Sequence, residues 1–353
     1  MRTLPAASRV RSLFPGAHLA WLVEPRASTV LQTHSWIDEV IVFPRSQLVA
    51  MLRRLRFGLL TQEWIRFVRE IRRRSFDLVV DFHSILRSGL LSISTGAPQR
   101  VAFSPPFGRE FAYLFANYRA RLWPARMSRF DRNAGLVDFL SGAARPGPDC
   151  NELVADLGMW EPDRELRAEM AARLGAGPSP AVIHPGTSDA TPFKRYTTEG
   201  YVEIARGLAA ETAAPTVVAW GPGQTDRALA SAIVSGAGAA ARLAPPTPAL
   251  GDLAALFACC RLFVGADSGP LHLASAIGIP VVQIIGPTDP VENAPDPRTP
   301  SRTVRTGLDC SPCRRGCAAA TCMTTITPAA VLGAARDLLD VGSDPVAASR
   351  GLR

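Results

Sequence analysis

Lys194 is the residue whose type points most directly to chemistry. The chain contains 39 lysine and arginine residues, and Lys194, in the segment TPFKRY, is the only lysine. A lysine ammonium is a compact charge that neutralises phosphate oxygens as negative charge builds on a leaving group. The guanidinium of arginine is bulkier and forked, so the two residues are not interchangeable at such a site. A single lysine can also survive by chance in an arginine-biased sequence, and composition alone does not decide between these interpretations.

The segment FVGADSGPLHLASA, residues 263–276, is the second candidate. Its apolar strand pattern ends at Gly265, and a helical pattern begins near Pro270. We expect Ser268 to cap this helix and His272 to lie one turn inside it. The unpaired N–H groups and the positive dipole end of such a helix form an anion site that suits a diphosphate. The same strand, turn and helix also occur as a plain α/β connection without a ligand.

Short apolar runs alternate with amphipathic stretches along the chain, which predicts βαβ units with parallel sheets and hence an α/β fold. The runs before residue 150 are HLAWLVE (18–24), EVIVF (39–43), DLVVDF (77–82) and RVAF (100–103). The later runs, each reaching Gly or Pro at its carboxyl end, are AVIHPG (181–186), TVVAWGPG (216–223), RLFVGADSG (261–269) and VVQIIGP (281–287). Ligands of doubly wound sheets collect outside the carboxyl ends of the strands, so these four later loops should line one site.

Length and composition predict two domains. A chain of 353 residues that is 47% hydrophobic is longer than one typical domain of about 150 residues. The Pro- and Gly-rich segment GAARPGPDC (142–150) precedes a charged helical stretch, and we place the hinge there. The expected lobes are 1–160 and 161–353, and the second includes a cysteine-rich segment at 310–322 and a C-terminal helix.

The net charge of +8 favours an anionic partner, which could be nucleic acid, an acidic membrane or a phosphorylated small molecule. No nucleic-acid recognition motif supports the first, and no G-x-G-x-x-G follows a first strand as in NAD-dependent enzymes. The sequence has no run of about 18 apolar residues that could span a bilayer. The start MRTLPAASRV lacks the apolar core of a signal peptide, so we expect a cytoplasmic protein.

Residues 51–76 form a basic amphipathic stretch. They hold eight arginines against two glutamates, with Leu, Phe, Trp and Ile interleaved. Such a stretch can lie on an anionic membrane surface. It can also be a solvated helix face over an ordinary core.

Four cysteines follow the pattern C-x2-C-x3-C-x4-C, namely Cys310, Cys313, Cys317 and Cys322. The spacing is plausible for metal ligands, and reduced cytoplasmic thiols are the other interpretation. The total of seven cysteines is odd and does not favour a secreted disulfide framework. For the anion site itself we predict no metal and no cofactor, because a lysine and a helix dipole supply the positive charge.

Together these segments resemble glycosyltransferase family 9, the ADP-heptose:lipopolysaccharide heptosyltransferases of Gram-negative bacteria. The resemblance covers most of residues 180–340 and is looser in the first lobe. The segments that carry it are IHPGTSDATPFKRYTTEGYVEIARGL, VAWGPGQTD, LFVGADSGPLHLASAIGIPVVQIIGPTDP and CSPCRRGCAAATC, with FPGAHLAWLVEPR, IDEVIVFP and FDLVVDFHSILRSGLLS in the first lobe.

The resemblance implies a GT-B fold, in which two Rossmann-like lobes face each other across a cleft. It implies that Lys194 contacts the donor diphosphate and that Lys194 and Asp267 are the catalytic residues. The implied donor-binding residues are Thr187, Ser188, Gly221, Asp226, Ser268, Gly269, Pro270, Leu271 and His272. In the loop WGPGQTD the family carries an acidic residue near the nucleotide, whereas here Gln224 and Thr225 precede Asp226.

The implied reaction is an inverting transfer of a heptose from ADP-heptose to a lipopolysaccharide inner-core acceptor. The implied partners are the sugar nucleotide and a lipid-linked anionic glycan, with no nucleic acid. Peripheral contact with the cytoplasmic face of the inner membrane follows from such an acceptor. The alternatives are the same fold acting on another sugar nucleotide and a relative that binds a nucleotide sugar without turnover.

The chain departs from the family pattern at its start. Family members open with a buried strand that ends in Gly-Asp, and that aspartate is the proposed base for the acceptor hydroxyl. This chain begins at MRTLPAA, already inside the helix that follows. We therefore expect a first lobe that lacks its first, central strand and the base. Either an upstream segment supplies both, or the protein is a non-catalytic relative.

Overall fold

A computed structural model of the chain describes residues 1–32, 34–142 and 160–343. The chain divides into two compact units, Thr3–Leu157 and Gly158–Arg353 with Met1–Arg2. The hinge segment after residue 142, together with Cys150, lies outside the described residues. In the described part of the chain, no helix is both long enough and apolar enough to cross a bilayer.

The first unit contains two parallel sheets. Strand β1 pairs with β2, and β4 lies between β3 and β5. Its strands are β1 (Ala20–Val23), β2 (Glu39–Val42), β3 (Leu78–Asp81), β4 (Gln99–Phe103) and β5 (Tyr118–Ala120). Its helices are α1 (Leu4–Leu13), α2 (Pro25–Leu31), α3 (Arg45–Arg53), α4 (Phe57–Arg72), α5 (Leu86–Ser94) and α6 (Arg129–Leu140), with a 3-10 turn at Ala112–Phe115.

The strands predicted for the first unit are confirmed, and so is the helical start of the chain. Helix α1 covers Leu4–Leu13 and buries Leu4, Ala6 and Ala7. Strand β5 was not predicted, because only one of its three residues is buried and a three-residue run leaves no pattern. A small core beneath β3–β5 includes the buried Phe103 and Leu136.

The second unit is a single six-stranded parallel sheet in the order β11-β10-β9-β6-β7-β8. Its strands are β6 (Ala181–His184), β7 (Thr216–Val218), β8 (Ala241–Leu243), β9 (Leu262–Ala266), β10 (Val281–Ile284) and β11 (Ser301–Val304). Its helices are α7 (Arg164–Leu174), α8 (Thr198–Thr212), α9 (Gln224–Ala237), α10 (Leu250–Ala258), α11 (Gly269–Ile277), α12 (Thr321–Thr324) and α13 (Pro328–Ser343), with a 3-10 turn at Pro192–Lys194.

The central strands of this sheet explain why its sequence pattern is clear. Every residue of β6, β9 and β10 is buried, and all of them except His184 and Gln283 are apolar or glycine, as is typical of parallel sheets covered on both faces. The predicted strands β6, β7, β9 and β10 and the C-terminal helix α13 are confirmed, as is the α/β class with parallel sheets. Strands β8 and β11, at the two edges of the sheet, were not predicted, because exposed residues interrupt their apolar pattern.

Candidate active site

The candidate site lies at the carboxyl edge of the second sheet, where the strand order reverses. From β6 the chain continues to β7 and β8 on one side, and then returns to β9, β10 and β11 on the other. Strands β6 and β9 are therefore neighbours whose connections leave in opposite directions. Such a switch point leaves a crevice outside the carboxyl ends of the two strands, where ligands of doubly wound sheets bind. The loop after β6 carries Lys194, and β9 is followed at once by Asp267.

The side chains of Lys194 and Asp267 meet across this switch point. Lys194 Nζ donates to Asp267 Oδ2 at 2.9 Å, and Thr288 Oγ1 donates to the same oxygen at 2.8 Å. His272 Nε2 lies 3.4 Å from Asp267 Oδ1. Thr288 follows β10. The carboxylate of Asp267 therefore links the loops after three adjacent strands, β6, β9 and β10.

The surroundings of Asp267 fix its ionisation. Burial is the largest single influence and would raise the pKa of this carboxyl group. The hydrogen bond from His272, the charge and hydrogen bond of Lys194 and the hydrogen bond from Thr288 outweigh burial and hold the pKa well below its ordinary value. Asp267 is therefore a carboxylate at neutral pH with little tendency to take up a proton. Such a carboxylate is a weak base, and it holds Lys194 in place through their hydrogen bond.

Helix α11 presents its first turn to the same edge. Ser268 occupies the N-cap position with an extended backbone, as predicted, but its hydroxyl makes no capping hydrogen bond. The predicted cap is thus wrong, because Pro270 has no N–H and one of the two usual donors to an N-cap oxygen is missing. Ser268 Oγ is buried and has no partner among the described residues. An unpartnered hydroxyl beside the free N–H groups of a first helical turn fits an anionic ligand.

Gly269 and Leu271, two further predicted site residues of α11, have different surroundings. A side chain at Gly269 would meet no atom within 4 Å, so the space in front of the helix is open. Leu271 is fully buried in the core, and only its backbone N–H can face a ligand. The side chain of Leu271 therefore has a structural role.

The loop after β6 holds the predicted hydroxyl residues in different ways. Thr187 is buried, and its Oγ1 donates to the carbonyl of Thr191 at 3.1 Å, so this hydroxyl shapes the loop. Ser188 is exposed, and its Oγ accepts from the N–H of Ala190 at 3.3 Å. Arg195 donates to the carbonyl of Thr187 at 3.3 Å and pairs with Asp189 at 3.1 Å.

Asp226 lies against the loops that follow β6 and β7. A Cβ atom at Gly186 would lie 2.7 Å from its Oδ1, and one at Gly221 would lie 2.4 Å from its Oδ2. Both positions are glycine because a side chain would displace the carboxylate. Burial raises the pKa of Asp226, the charge of Arg195 lowers it and the charge of Asp189 raises it, with a net upward shift.

Sequence analysis missed two residues of this region. Thr288 lies in IIGPTDP, directly after the predicted run 281–287, and the carboxyl-end rule would have included it had the loop been followed one residue further. Arg195 adjoins Lys194 but could not be distinguished among the many arginines of the chain. At the end of β6, burial lowers the pKa of His184 to about 4, so this imidazole is neutral.

The cysteine segment is close to the Lys194 turn. Gly316 adopts φ 72°, and a Cβ atom there would lie 2.2 Å from the ring of Phe193, so only glycine permits this contact. Cys322 is buried, and its three partners in the motif, Cys310, Cys313 and Cys317, are exposed. Within the described ranges these thiols are free, and no group of three or more His, Cys, Asp or Glu side chains is arranged to hold a metal ion.

Comparisons with known proteins show what this chain is similar to in sequence and fold. The sequence model of glycosyltransferase family 9 (heptosyltransferase) matches residues 64–323. Lipopolysaccharide heptosyltransferase 1 of Pseudomonas aeruginosa is 28% identical over 291 residues, which are 82% of this chain and 76% of that protein.

Solved structures share the fold over nearly the whole chain. The family 9 glycosyltransferase of Veillonella parvula gives a TM-score of 0.74 at 21% identity and covers 96% of this chain and 93% of its own. The Escherichia coli heptosyltransferase WaaC with ADP gives a TM-score of 0.69 at 20% identity, with 96% and 95% covered.

Proposed function

The chain belongs to glycosyltransferase family 9, and from this premise we propose that it transfers a heptose from ADP-heptose to a lipopolysaccharide inner-core acceptor, with inversion at the anomeric carbon. The observation that carries the proposal is the Lys194–Asp267 pair at the switch point, beside the unpartnered hydroxyl of Ser268. These groups suit the diphosphate of a sugar nucleotide. The same region is the predicted donor site, and a related structure contains ADP.

In this proposal the leaving diphosphate gains negative charge as the acceptor hydroxyl attacks the anomeric carbon. An ammonium group has three N–H donors, so Lys194 can keep its bond to Asp267 and direct another donor to a phosphate oxygen. The hydroxyl of Ser268 and the first N–H groups of α11 supply further donors at the same edge. Groups fixed in place before the reaction stabilise the developing charge at little reorganisation cost.

The two units take different roles in the proposal. Residues 161–353 form the nucleotide-sugar lobe of a GT-B enzyme, and residues 1–160 form the acceptor-side lobe. Asp226, at the ends of β6 and β7, contacts the nucleoside side of the donor. The acceptor is a lipid-linked anionic glycan, which gives the protein a peripheral place on the cytoplasmic face of the inner membrane.

A second candidate function is the binding of a nucleotide sugar without turnover. The low pKa of Asp267 favours it, because this carboxylate of the site is a poor base. Turnover assays with ADP-heptose and a core acceptor separate the two functions.

Calorimetric titration of ADP tests the donor site. We expect ADP to bind the full chain and Lys194→Ala to weaken binding by about tenfold to a hundredfold, the range for a lost charge-assisted hydrogen bond. Lys194→Arg should retain part of the affinity. Since Lys194→Ala leaves Asp267 unpaired, Lys194→Ala with Asp267→Asn serves as a variant in which no buried charge is left alone.

AMP is the matched ligand control, because it lacks the second phosphate. The variants should lose much less affinity for AMP than for ADP. Equal ADP affinity in the parent chain and both lysine variants would contradict the phosphate role of Lys194. Failure of the folded parent chain to bind ADP at all would contradict the donor assignment.

A further inference from the structure

The connection between α3 and α4 presents a surface that the proposed chemistry does not use. We call residues 52–59, LRRLRFGL, the α3–α4 tip. All eight residues are exposed. Its apolar side chains are exposed by 50% at Leu52, 72% at Leu55, 57% at Phe57 and 48% at Leu59.

The apolar residues of the tip are not part of the core beneath it. Helix α4 packs on the first unit through another stripe, Leu60, Trp64 and Phe67, spaced by three or four residues. Leu55 also adopts φ 54°, the left-handed region in which glycine would be favoured. A large apolar side chain stands in water at a position where a small flexible residue would fit the backbone better.

The arginines of the tip are also without partners. Arg53, Arg54 and Arg56 make no ion pair or side-chain hydrogen bond within the described ranges. No Asp or Glu occurs between Glu39 and Glu63. Farther along the same surface, three of five arginines are paired, in Arg66–Glu63, Arg73–Glu70 and Arg74–Glu39. At the tip, every arginine lacks an ion pair among the described residues, so unpaired positive charge is densest where the apolar side chains are exposed.

We infer that the α3–α4 tip binds the headgroup layer of an anionic bilayer, with its apolar side chains entering the acyl boundary and its arginines meeting lipid phosphates. Interleaved apolar and basic side chains are the chemistry of interfacial membrane segments. Each basic residue near an anionic leaflet strengthens binding by about fivefold. The inference rests on the proposed function for its context, since a lipid-linked acceptor lies in such a membrane.

Two other occupants fit the tip less well. A second copy related by twofold symmetry would bring the same three arginines against each other, at a cost from like charges. A nucleic acid would engage the arginines but would leave the four apolar side chains in water. An anionic bilayer offers phosphate groups to the arginines and an acyl region to the apolar side chains.

Vesicle flotation tests the inference on the full chain. We expect binding to vesicles of phosphatidylcholine and phosphatidylglycerol in equal amounts and little binding to phosphatidylcholine alone. The variant Arg53→Gln, Arg54→Gln, Arg56→Gln should weaken binding by more than about tenfold. The matched control Arg66→Gln, Arg69→Gln, Arg73→Gln removes the same charge from the exposed outer face of α4 and should lose much less.

A second variant, Leu55→Ser with Phe57→Ser, isolates the apolar contribution. Its binding should be weaker than that of the parent chain at high salt, where the arginines are screened. Absence of parent binding to the anionic vesicles, or equal losses in the two arginine triples, would overturn the inference. So would a parent chain that is dimeric by sedimentation and becomes monomeric in the Leu55→Ser, Phe57→Ser variant.

ADP titration on the same variants separates this inference from the proposed function. All tip variants should bind ADP as the parent does, because none of the changed residues lies in the second unit. For the variant Arg53→Gln, Arg54→Gln, Arg56→Gln, we expect weaker vesicle binding and unchanged ADP binding. Vesicle binding by a parent chain that fails to bind ADP would support the tip and contradict the donor site.

Discussion

Two buried aspartates end parallel strands in this protein, one in each unit, and they are stabilised in opposite ways. Asp81 is the last residue of β3, Asp267 follows β9, and both are 7% exposed. Asp81 accepts hydrogen bonds from the N–H groups of His83 and Ser84 and from the hydroxyl of Ser88. Asp267 is bound by Lys194 and Thr288, from the loops of two other strands.

The pKa shifts of the two aspartates differ in sign. Burial raises the pKa of Asp81, and its hydrogen bonds offset this only in part, because no lysine or arginine pairs with it among the described residues. Burial acts in the same direction on Asp267, but His272, Lys194 and Thr288 outweigh it and lower the pKa. The two aspartates are equally buried, so the difference in pKa comes from their partners. Among the described residues, Asp81 is bound by close neighbours in the chain, whereas Asp267 is paired with a lysine from the loop of another strand.

Removal of the cation is the strongest test of this difference. Lys194→Ala leaves a buried carboxylate without its cation and should lower the free energy of unfolding of the second unit by about 3 kcal/mol. Lys194→Ala with Asp267→Asn should recover most of that loss. Urea denaturation followed by circular dichroism measures both. A double variant as unstable as the single one would contradict the assignment of the cost to the unpaired charge.

The pH dependence of stability should separate the two aspartates. The native pKa of Asp267 is depressed, so its contribution is present above its unfolded pKa of about 3.9 and is lost as the pH falls through the native value. The native pKa of Asp81 is raised, so its contribution falls as the pH rises above about 3.9. The cost of Asp267→Asn should therefore shrink by about 1.4 kcal/mol per pH unit as the pH falls below about 3.9, while that of Asp81→Asn grows as the pH falls towards about 3.9.

Urea midpoints of the two variants and the parent at neutral pH, near pH 4 and at about pH 2.5 measure these slopes. Parallel pH profiles for Asp267→Asn and Asp81→Asn would show that the two carboxyl groups titrate alike in the folded protein. That result would contradict the distinction between them.

Two serine hydroxyls beside these aspartates give the next comparison. Ser84 Oγ donates to the carbonyl of Asp81 at 2.8 Å and accepts from the N–H of Phe103 at 3.1 Å. Ser84→Ala should therefore cost about 1 to 2 kcal/mol in stability. Ser268→Ala should cost little stability, because its hydroxyl has no partner in the described part of the chain, and should weaken ADP binding instead. Thermal unfolding and ADP titration check both; a large stability loss in Ser268→Ala would refute the ligand role of this hydroxyl.

The smallest effects are expected from the two hydroxyl groups that donate hydrogen bonds to these carboxylates. Thr288→Val removes one hydrogen bond from Asp267, and Ser88→Ala removes one from Asp81. Each should cost about 1 kcal/mol. Only Thr288→Val should also lower ADP affinity, because only Asp267 belongs to the proposed donor site. If Ser88→Ala lowered ADP affinity as much as Thr288→Val does, the distinction between the two aspartates in ADP binding would be contradicted.

Much of the fold could be predicted from the sequence because the inner strands are buried along their whole length. The four runs that end in Gly or Pro occupy neighbouring positions in the second sheet, so the loops that follow them lie along one edge, as predicted. The strands that were missed, β5, β8 and β11, are three or four residues long and partly exposed, so tertiary pairing and not local pattern defines them.

The details of the site could not be predicted in the same way. Sequence analysis selected Lys194 and Asp267 separately, but the ion pair depends on the adjacency of β6 and β9, which no local pattern reports. The expected cap at Ser268 failed because a single proline removed a donor. Which side chain approaches Asp267 from the loop of β10 depends on packing across the sheet.

The Lys194–Asp267 pair also has a consequence for the order of folding. The two residues are 73 positions apart, and β7, β8, β9 and three α-helices lie between them in the chain. Contacts between distant residues form late, because the intervening loop must first close. The ammonium–carboxylate contact can form only once β9 has docked on β6. During refolding, ADP binding should therefore recover later than the helical circular dichroism signal. Recovery of ADP binding would then mark the end of folding of the second unit.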